Sequence, residues 1–426
     1  MTLGRPASYI ARHPHSPDAA LKAPQPISTD PIAVLQRLIA CRSVTPAEGG
    51  ALDYLTDVLG GAGFATERLS FSAPGTPDID NLFATIGSGD PHLVFAGHTD
   101  VVPPGDEASW SHPPFAGAIA GGQLYGRGAV DMKGGIAAFL AAALDHRGDK
   151  GASGGAGGGA GGGTLSFLIT GDEEGPAING TVKLLDWARR QGHRFDAALV
   201  GEPTSQRQIG DTIKIGRRGS LSGTIRAIGR QGHVAYPELA DNPVRSLVRV
   251  LDRLLAAKLD EGSRAFQPSN LEVTSVDVGN PAFNVIPGEA RARFNIRFND
   301  HWSGKELEAW LRREIATAAS GASVELAIEP GGSDWFLTRS EALVGRLSAA
   351  IEAVTGGAPE LSTGGGTSDA RFFRDLCPVV EFGLVGQTMH QVDERVAVAD
   401  LRVLTGIYRR FLDQFFAGPE HARARP

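Results

Sequence analysis

Short apolar runs recur along the first half of the chain: NLFATIG from Asn81, HLVFAGH ending at His98, TLSFLIT ending at Thr170 and AALV ending at Val200. Stretches of helical spacing separate them, among them GGIAAFLAAALDH and TVKLLDWARRQG. Strand–helix alternation of this kind predicts an α/β layer, with a mostly parallel central sheet flanked by helices. The first helix is expected in PIAVLQRLIAC, where Asp30 can cap it and Pro31 suits its first position. A closing helix is expected in ADLRVLTGIYRRFLDQFF.

From Ser220 the pattern changes. SLSGTIRAIG alternates as a strand, and NPVRSLVRVLDRLLAAKL follows with helical spacing, Asn242 as cap and Pro243 at its first position. Val244, Leu247, Val248, Leu251, Leu254 and Leu255 are expected on its buried face. Two strands (NLEVTSVDVG and ARARFNIRFN), a helix (KELEAWLRREIATAA) and a strand (SVELAIEP) complete a β-α-β-β-α-β order, which is ferredoxin-like. The expected organisation is therefore a flexible tail over 1–28, a discontinuous larger domain over 29–218 and 332–418, and an inserted domain over 219–331. Residues 151–163, GASGGAGGGAGGG, formally match an esterase elbow and a dinucleotide motif. Neither has the strand or helix it requires, so a flexible loop is expected there.

At 426 residues, two domains are the default. The formal charge of −7 argues against nucleic acid or an anionic membrane as partner. Cys41 and Cys377 match no metal or redox spacing and read as buried thiols of a cytoplasmic protein. The start is Pro-rich without an apolar h-region, which speaks against a secretory signal, and no stretch approaches a membrane span.

The candidate chemistry lies where apolar runs end. His98 and Asp100 stand in HTDVV, Asp131 in GRGAVDMKGG, Glu173 and Glu174 in TGDEEGP, Glu202 in VGEPT and His390 in TMHQVDE. Imidazoles and carboxylates gathered at strand ends are the inventory of a two-metal hydrolytic site. His98 and Asp100, two apart on a strand, are expected to share a face, with the carboxylate holding the ring's other nitrogen. Asp131 has two oxygens to share between cations. Of the adjacent Glu173 and Glu174, one can ligate while the other stays free as a base.

HTDVVP, GRGAVDMKGG, TGDEEG, GEPT, GRRGS, RQGHVAYP, FNVIPG, GGGTSDARF and MHQVDERV, in this order, resemble the co-catalytic di-zinc amidohydrolases of the aminoacylase and glutamate carboxypeptidase family. The resemblance runs from about residue 29 to 416. It implies one zinc on His98, Asp131 and Glu202 and a second on Asp131, Glu174 and His390, with cobalt or manganese able to substitute. It further implies Asp100 as the group orienting His98, Glu173 as general base, and His233 as an oxyanion donor reaching over from the partner subunit of a homodimer. The inserted domain would then serve as lid and dimerisation domain. The substrate class would be an N-acyl amino acid, its carboxylates met by Arg217, Arg218 and Arg297, with Asn284, Gly365 and Thr367 completing the cradle. The rival from another class is a catalytically silent, metal-stabilised binding protein. Glu173 and Asp100 stand against it, since neither is needed merely to hold a cation.

Overall fold

A computed structural model describes residues 10–11, 28–151 and 162–417 of the chain. The first helix spans Pro31–Ala40, and the Asp30 side chain accepts from the Ile32 N–H, with Pro at the helix start. Of the segment before it, Ile10–Ala11 pairs with Ser70 and Leu69. Most of the expected tail, and residues 152–161 of the expected poly-Gly loop, lie outside the described residues.

The chain divides into two compact units, one of residues up to Ile215 with Thr338–Ser362 and the segment from Ser368, the other of Gly216–Leu337 with Thr363–Thr367. The first is built on a nine-stranded sheet. Its order is Ile10–Ala11, Ala65–Phe71, Ile79–Ser88, Gly163–Thr170, His92–His98, Ala197–Val200, Val379–Glu381, Thr212–Lys214 and Glu360–Ser362. The strands from Gly163–Thr170 through Val379–Glu381 run parallel, whereas the flank carrying Ile79–Ser88 is antiparallel. The parallel strands are buried throughout, as sheets covered on both faces require.

The helix Lys133–Gly151 is apolar all round over Ile136 to Leu144, all of them buried. Phe139 stacks on Phe95 of the central strand at 4.1 Å between ring centroids, and the buried Tyr408 hydroxyl donates to the Phe382 carbonyl at 2.5 Å. A Cβ on Gly135 would lie 2.2 Å from the Gly201 carbonyl oxygen. Only glycine lets this helix start sit against the end of the Ala197–Val200 strand.

The second unit holds a four-stranded antiparallel sheet in the order Asn270–Asp277, Glu289–Phe298, Gly219–Ile228 and Ser323–Ile328. With the helices Pro243–Ala256 and Gly304–Ala319 this is the ferredoxin-like arrangement. Asn242 caps the first helix by accepting from the Val244 N–H. The buried face differs from the one expected. Val248 and Leu255 are more than half exposed, and Ser246 and Val250 are buried in their place. The stripe follows positions 243, 246, 247, 250, 251 and 254. No described helix is long and apolar enough to cross a membrane.

Candidate metal centre

Every expected metal ligand lies in the first unit. His98 ends its strand, and Glu173 and Glu202 lie in the turns after Thr170 and Val200, so three neighbouring parallel strands deliver them at their carboxyl ends. Asp131 precedes the helix Lys133–Gly151, and the fully buried Lys133 donates to the Leu38 and Cys41 carbonyls, both at 2.9 Å. That contact ties the turn to the end of the first helix, where a cation is favoured.

The geometry is two-sided about Asp131. Its Oδ1 is 3.2 Å from His98 Nε2, and its Oδ2 is 3.2 Å from His390 Nε2. Glu202 Oε1 lies 3.8 Å from His98 Nε2, and Glu174 Oε1 lies 2.8 Å from His390 Nε2. Donors bound to one tetrahedral ion at about 2.0 Å stand about 3.3 Å apart, a value that these four separations bracket. Groups of donors within ligand reach of one another are His98 with Glu173 and Glu202, and His98 with Asp131 and Glu174. Glu173 is thus near enough to ligate, and position alone does not separate base from ligand.

The His98 tautomer is defined. Its Nδ1 bonds the Asp100 backbone carbonyl at 2.9 Å, an acceptor only, which leaves Nε2 as the free donor atom for a cation. The Asp100 carboxylate stands beside the same nitrogen, its Oδ1 3.6 Å from His98 Nδ1, beyond hydrogen-bond reach but close enough to favour a charged ring. The Asp100 carboxylate accepts from the Glu173 and Glu174 N–H groups, at 3.3 and 3.0 Å, and from the Thr45 hydroxyl at 2.8 Å. Asp100 therefore holds the acidic turn with its side chain and faces His98 with both its backbone carbonyl and its carboxylate.

Charge gives the second line of argument. Asp100, Asp131 and Glu202 are buried, and Asp369 and Glu381 are buried nearby. Burial pushes Glu202 well above the usual carboxylate range and Glu173 up to about 8, and neighbouring carboxylates add to both. Burial also raises Asp369 to about 6. Burial opposes a charge on His98, but Asp131, Asp100, Glu173 and Glu202 outweigh it and hold that imidazole well above its ordinary value. Hydrogen bonds that its Nε2–H donates to the Asp131 and Glu174 carboxylates raise His390 to about 10. So many carboxylates around two imidazoles call for more positive charge than the imidazoles supply. The donor set of imidazole nitrogens and carboxylate oxygens fits two divalent cations.

The remaining expected site residues all belong to the second unit. His233 is exposed, and its Nδ1 accepts from the Ala235 N–H at 3.0 Å, so Nε2 carries the ring's proton in the neutral form. The Asn284 carbonyl accepts from the neighbouring Val234 N–H. Arg217 donates to the Gly364 carbonyl at 3.4 Å, and a Cβ on Gly365 would lie 2.5 Å from that guanidinium. Gly365 has φ +107°, a conformation that favours glycine, whereas the Arg217 guanidinium could swing aside. Thr367 ends the same segment. Arg218 donates to the Pro268 carbonyl and the Asn270 side chain, and Asn270 lies opposite Arg297 in the sheet. Arg218 thus has a structural task that the sequence did not reveal.

Sequence reasoning also passed over Arg127 and Glu394, both buried and bonded to each other at 2.8 Å beside Asp131 and His390. Both lie inside motifs that were read for their ligands alone, and charges closely flanking two ligands were the available signal.

Comparison with known proteins agrees with this chemistry. The profile described as Peptidase family M20/M25/M40 matches residues 94–414. A succinyl-diaminopimelate desuccinylase from Methylobacterium sp. (strain 4-46) is 59% identical over 392 residues, spanning 92% of this chain and 97% of that protein. An M20 family metallo-carboxypeptidase from Sulfolobus solfataricus has the same fold, with a TM-score of 0.73 at 17% identity, covering 91% of this chain and 100% of that one. A dinuclear metal binding peptidase of the M20 family from Bacillus subtilis matches with a TM-score of 0.64 at 16% identity, over 90% of this chain and 96% of that one.

Proposed function

The chain belongs to the M20/M25/M40 peptidase family, and on that premise we propose that it hydrolyses N-succinyl-LL-2,6-diaminopimelate to succinate and LL-2,6-diaminopimelate. The observation that carries the substrate is the 59% identity, over nearly the whole of both chains, to a relative of that activity. The reading makes the protein a cytoplasmic enzyme of diaminopimelate and lysine biosynthesis, working as a homodimer.

We assign zinc to both positions, with cobalt or manganese as substitutes: one ion on His98, Asp131 and Glu202, the other on Asp131, Glu174 and His390. Two such ions, when bound, acidify water and polarise the amide carbonyl. Glu173 takes the proton from the attacking water and returns it to the departing amine. Its backbone is held by Asp100, so the carboxylate can exchange that proton without the turn moving. His233, with Nε2–H available, donates to the developing oxyanion from the partner subunit. Arg217 and Arg297 meet the substrate carboxylates, and Asn284, Gly365 and Thr367 complete the pocket. We give Arg218 the smaller share, because Pro268 and Asn270 already occupy it.

The test compares succinyl-diaminopimelate with N-acetylornithine on one zinc-loaded preparation. Preferred hydrolysis of the succinyl substrate supports the assignment, and preferred deacetylation overturns the substrate while leaving the chemistry.

A further inference from the structure

The loop that carries His390 and the turn that carries Asp131 are joined by an exchange of buried charges. Glu394, from the His390 loop, lies against the other segment. Its Oε2 accepts from the Gly128 N–H at 3.0 Å, and its Oε1 from the Val130 and Asp131 N–H groups at 2.9 and 3.2 Å. Arg127, from the Asp131 segment, reaches the opposite way. It donates to the Gln391 carbonyl at 3.2 Å, to the His390 carbonyl at 3.4 Å and to Glu394 Oε2 at 2.8 Å. Glu394 is 0% exposed and Arg127 3%, so neither charge is screened by water.

His390 has φ 62° and Asp393 φ 59°, left-handed conformations that side chains other than glycine rarely hold without support. Arg127 supplies that support at the carbonyl of His390 itself. The base of the loop is closed by Thr388, which bonds the Arg395 backbone in both directions, and by the Gly126 N–H donating to the Glu394 carbonyl. A buried ion pair adds little to stability compared with apolar packing. Its value here lies in fixing two loops against each other.

We propose that Arg127 and Glu394 are positioning residues for the second cation. By clamping the two loops they set His390 Nε2 against Asp131 Oδ2, and so they tune the ion held by Asp131, Glu174 and His390. The other ion takes His98 and Glu202 from strand ends fixed by the sheet and depends on the clamp only through Asp131. This inference rests on the two-cation reading.

Its test is titration of zinc into chelator-stripped wild type, Glu394→Gln and Arg127→Lys, with His390→Ala identifying the step that belongs to the second ion. Wild type should bind two ions. In both clamp variants the step lost in His390→Ala should weaken by at least about tenfold, the other step should stay within about threefold, and kcat should recover when zinc is in excess. Arg127→Lys keeps the buried positive charge but loses the fork that spans both loops, so it decides the matter if Glu394→Gln does not fold. Unchanged affinity for the second ion, or equal weakening of both, overturns the clamp. Failure of wild type to bind two ions overturns the metal reading beneath it, a distinct result.

Discussion

Glu173→Gln separates the two roles that geometry leaves adjacent for this residue. Glutamine has the same length and shape, and the turn is held by Asp100 through the Glu173 and Glu174 N–H groups, so the backbone should not move. The proposed ligand set of His98, Asp131, Glu174, Glu202 and His390 is untouched. If Glu173 is the base, the variant keeps two cations and loses proton transfer in both directions. General acid–base catalysis is worth roughly 10²–10⁴-fold, and about 10³-fold corresponds to about 4 kcal/mol of barrier. Because Glu173 acts on water and amine rather than on the resting substrate, the loss should fall on kcat and leave KM within a few-fold. The assay is succinate release measured beside elemental metal analysis of the same sample. Near wild-type kcat with two ions bound would refute the role of base. Loss of one ion would refute the assignment in another way, by making Glu173 a ligand beside His98 and Glu202, a group that the donor spacing allows.

Three further outcomes follow from named contacts. Burial lowers the His92 imidazole to about 4, and its Nε2 meets the Ser166 hydroxyl at 2.8 Å. The unfolded chain therefore binds a proton first, so this contribution to stability is whole above pH 6.5 and is lost as pH falls from 6.5 to 4. The loss should be about 2 kcal/mol after allowing for solvent screening. Urea unfolding of metal-free protein at both ends of that range should show a shallower loss in His92→Gln, and parallel losses would contradict the reading. Gly135→Ala places a methyl 2.2 Å from the Gly201 carbonyl and should destabilise by about 2 kcal/mol or more, with weaker metal retention because Asp131 and Glu202 flank the contact. A melting temperature equal to wild type would disprove it. Arg217→Ala should raise KM by at least about tenfold with kcat little changed, as expected when a charge-assisted bond to bound substrate is removed; an unchanged KM removes Arg217 from the pocket.

The candidate ligands were legible in the sequence because each stands at a visible boundary, where an apolar run ends and a turn begins. His98, Glu202 and the proposed base Glu173 needed only the rule that functional groups gather at the carboxyl ends of parallel strands. Helix starts were equally open, since Asp30–Pro31 and Asn242–Pro243 announce a cap and a first turn in adjacent residues. The order of strands and helices in the inserted domain followed from the change of period alone. What was hidden depends on contacts between distant segments. Nothing local shows that the Asp100 carbonyl bonds His98 while its carboxylate, 3.6 Å from the same nitrogen, also holds the Glu173–Glu174 turn. Arg127 and Glu394 lie 267 positions apart, and their pairing exists only once the two loops meet. Val248 and Leu255 show the limit of periodicity, since apolar residues at helical spacing need not all be covered.

The central claim is that two cations held about Asp131 perform the hydrolysis. It is tested most directly by adding zinc in steps to chelator-stripped protein while following bound metal and succinate released from N-succinyl-LL-2,6-diaminopimelate. The account predicts no turnover without metal, two ions bound per chain at saturation, and hydrolysis that rises with their binding. Full turnover by protein kept metal-free, or a chain holding two ions that leaves the substrate intact, would contradict it.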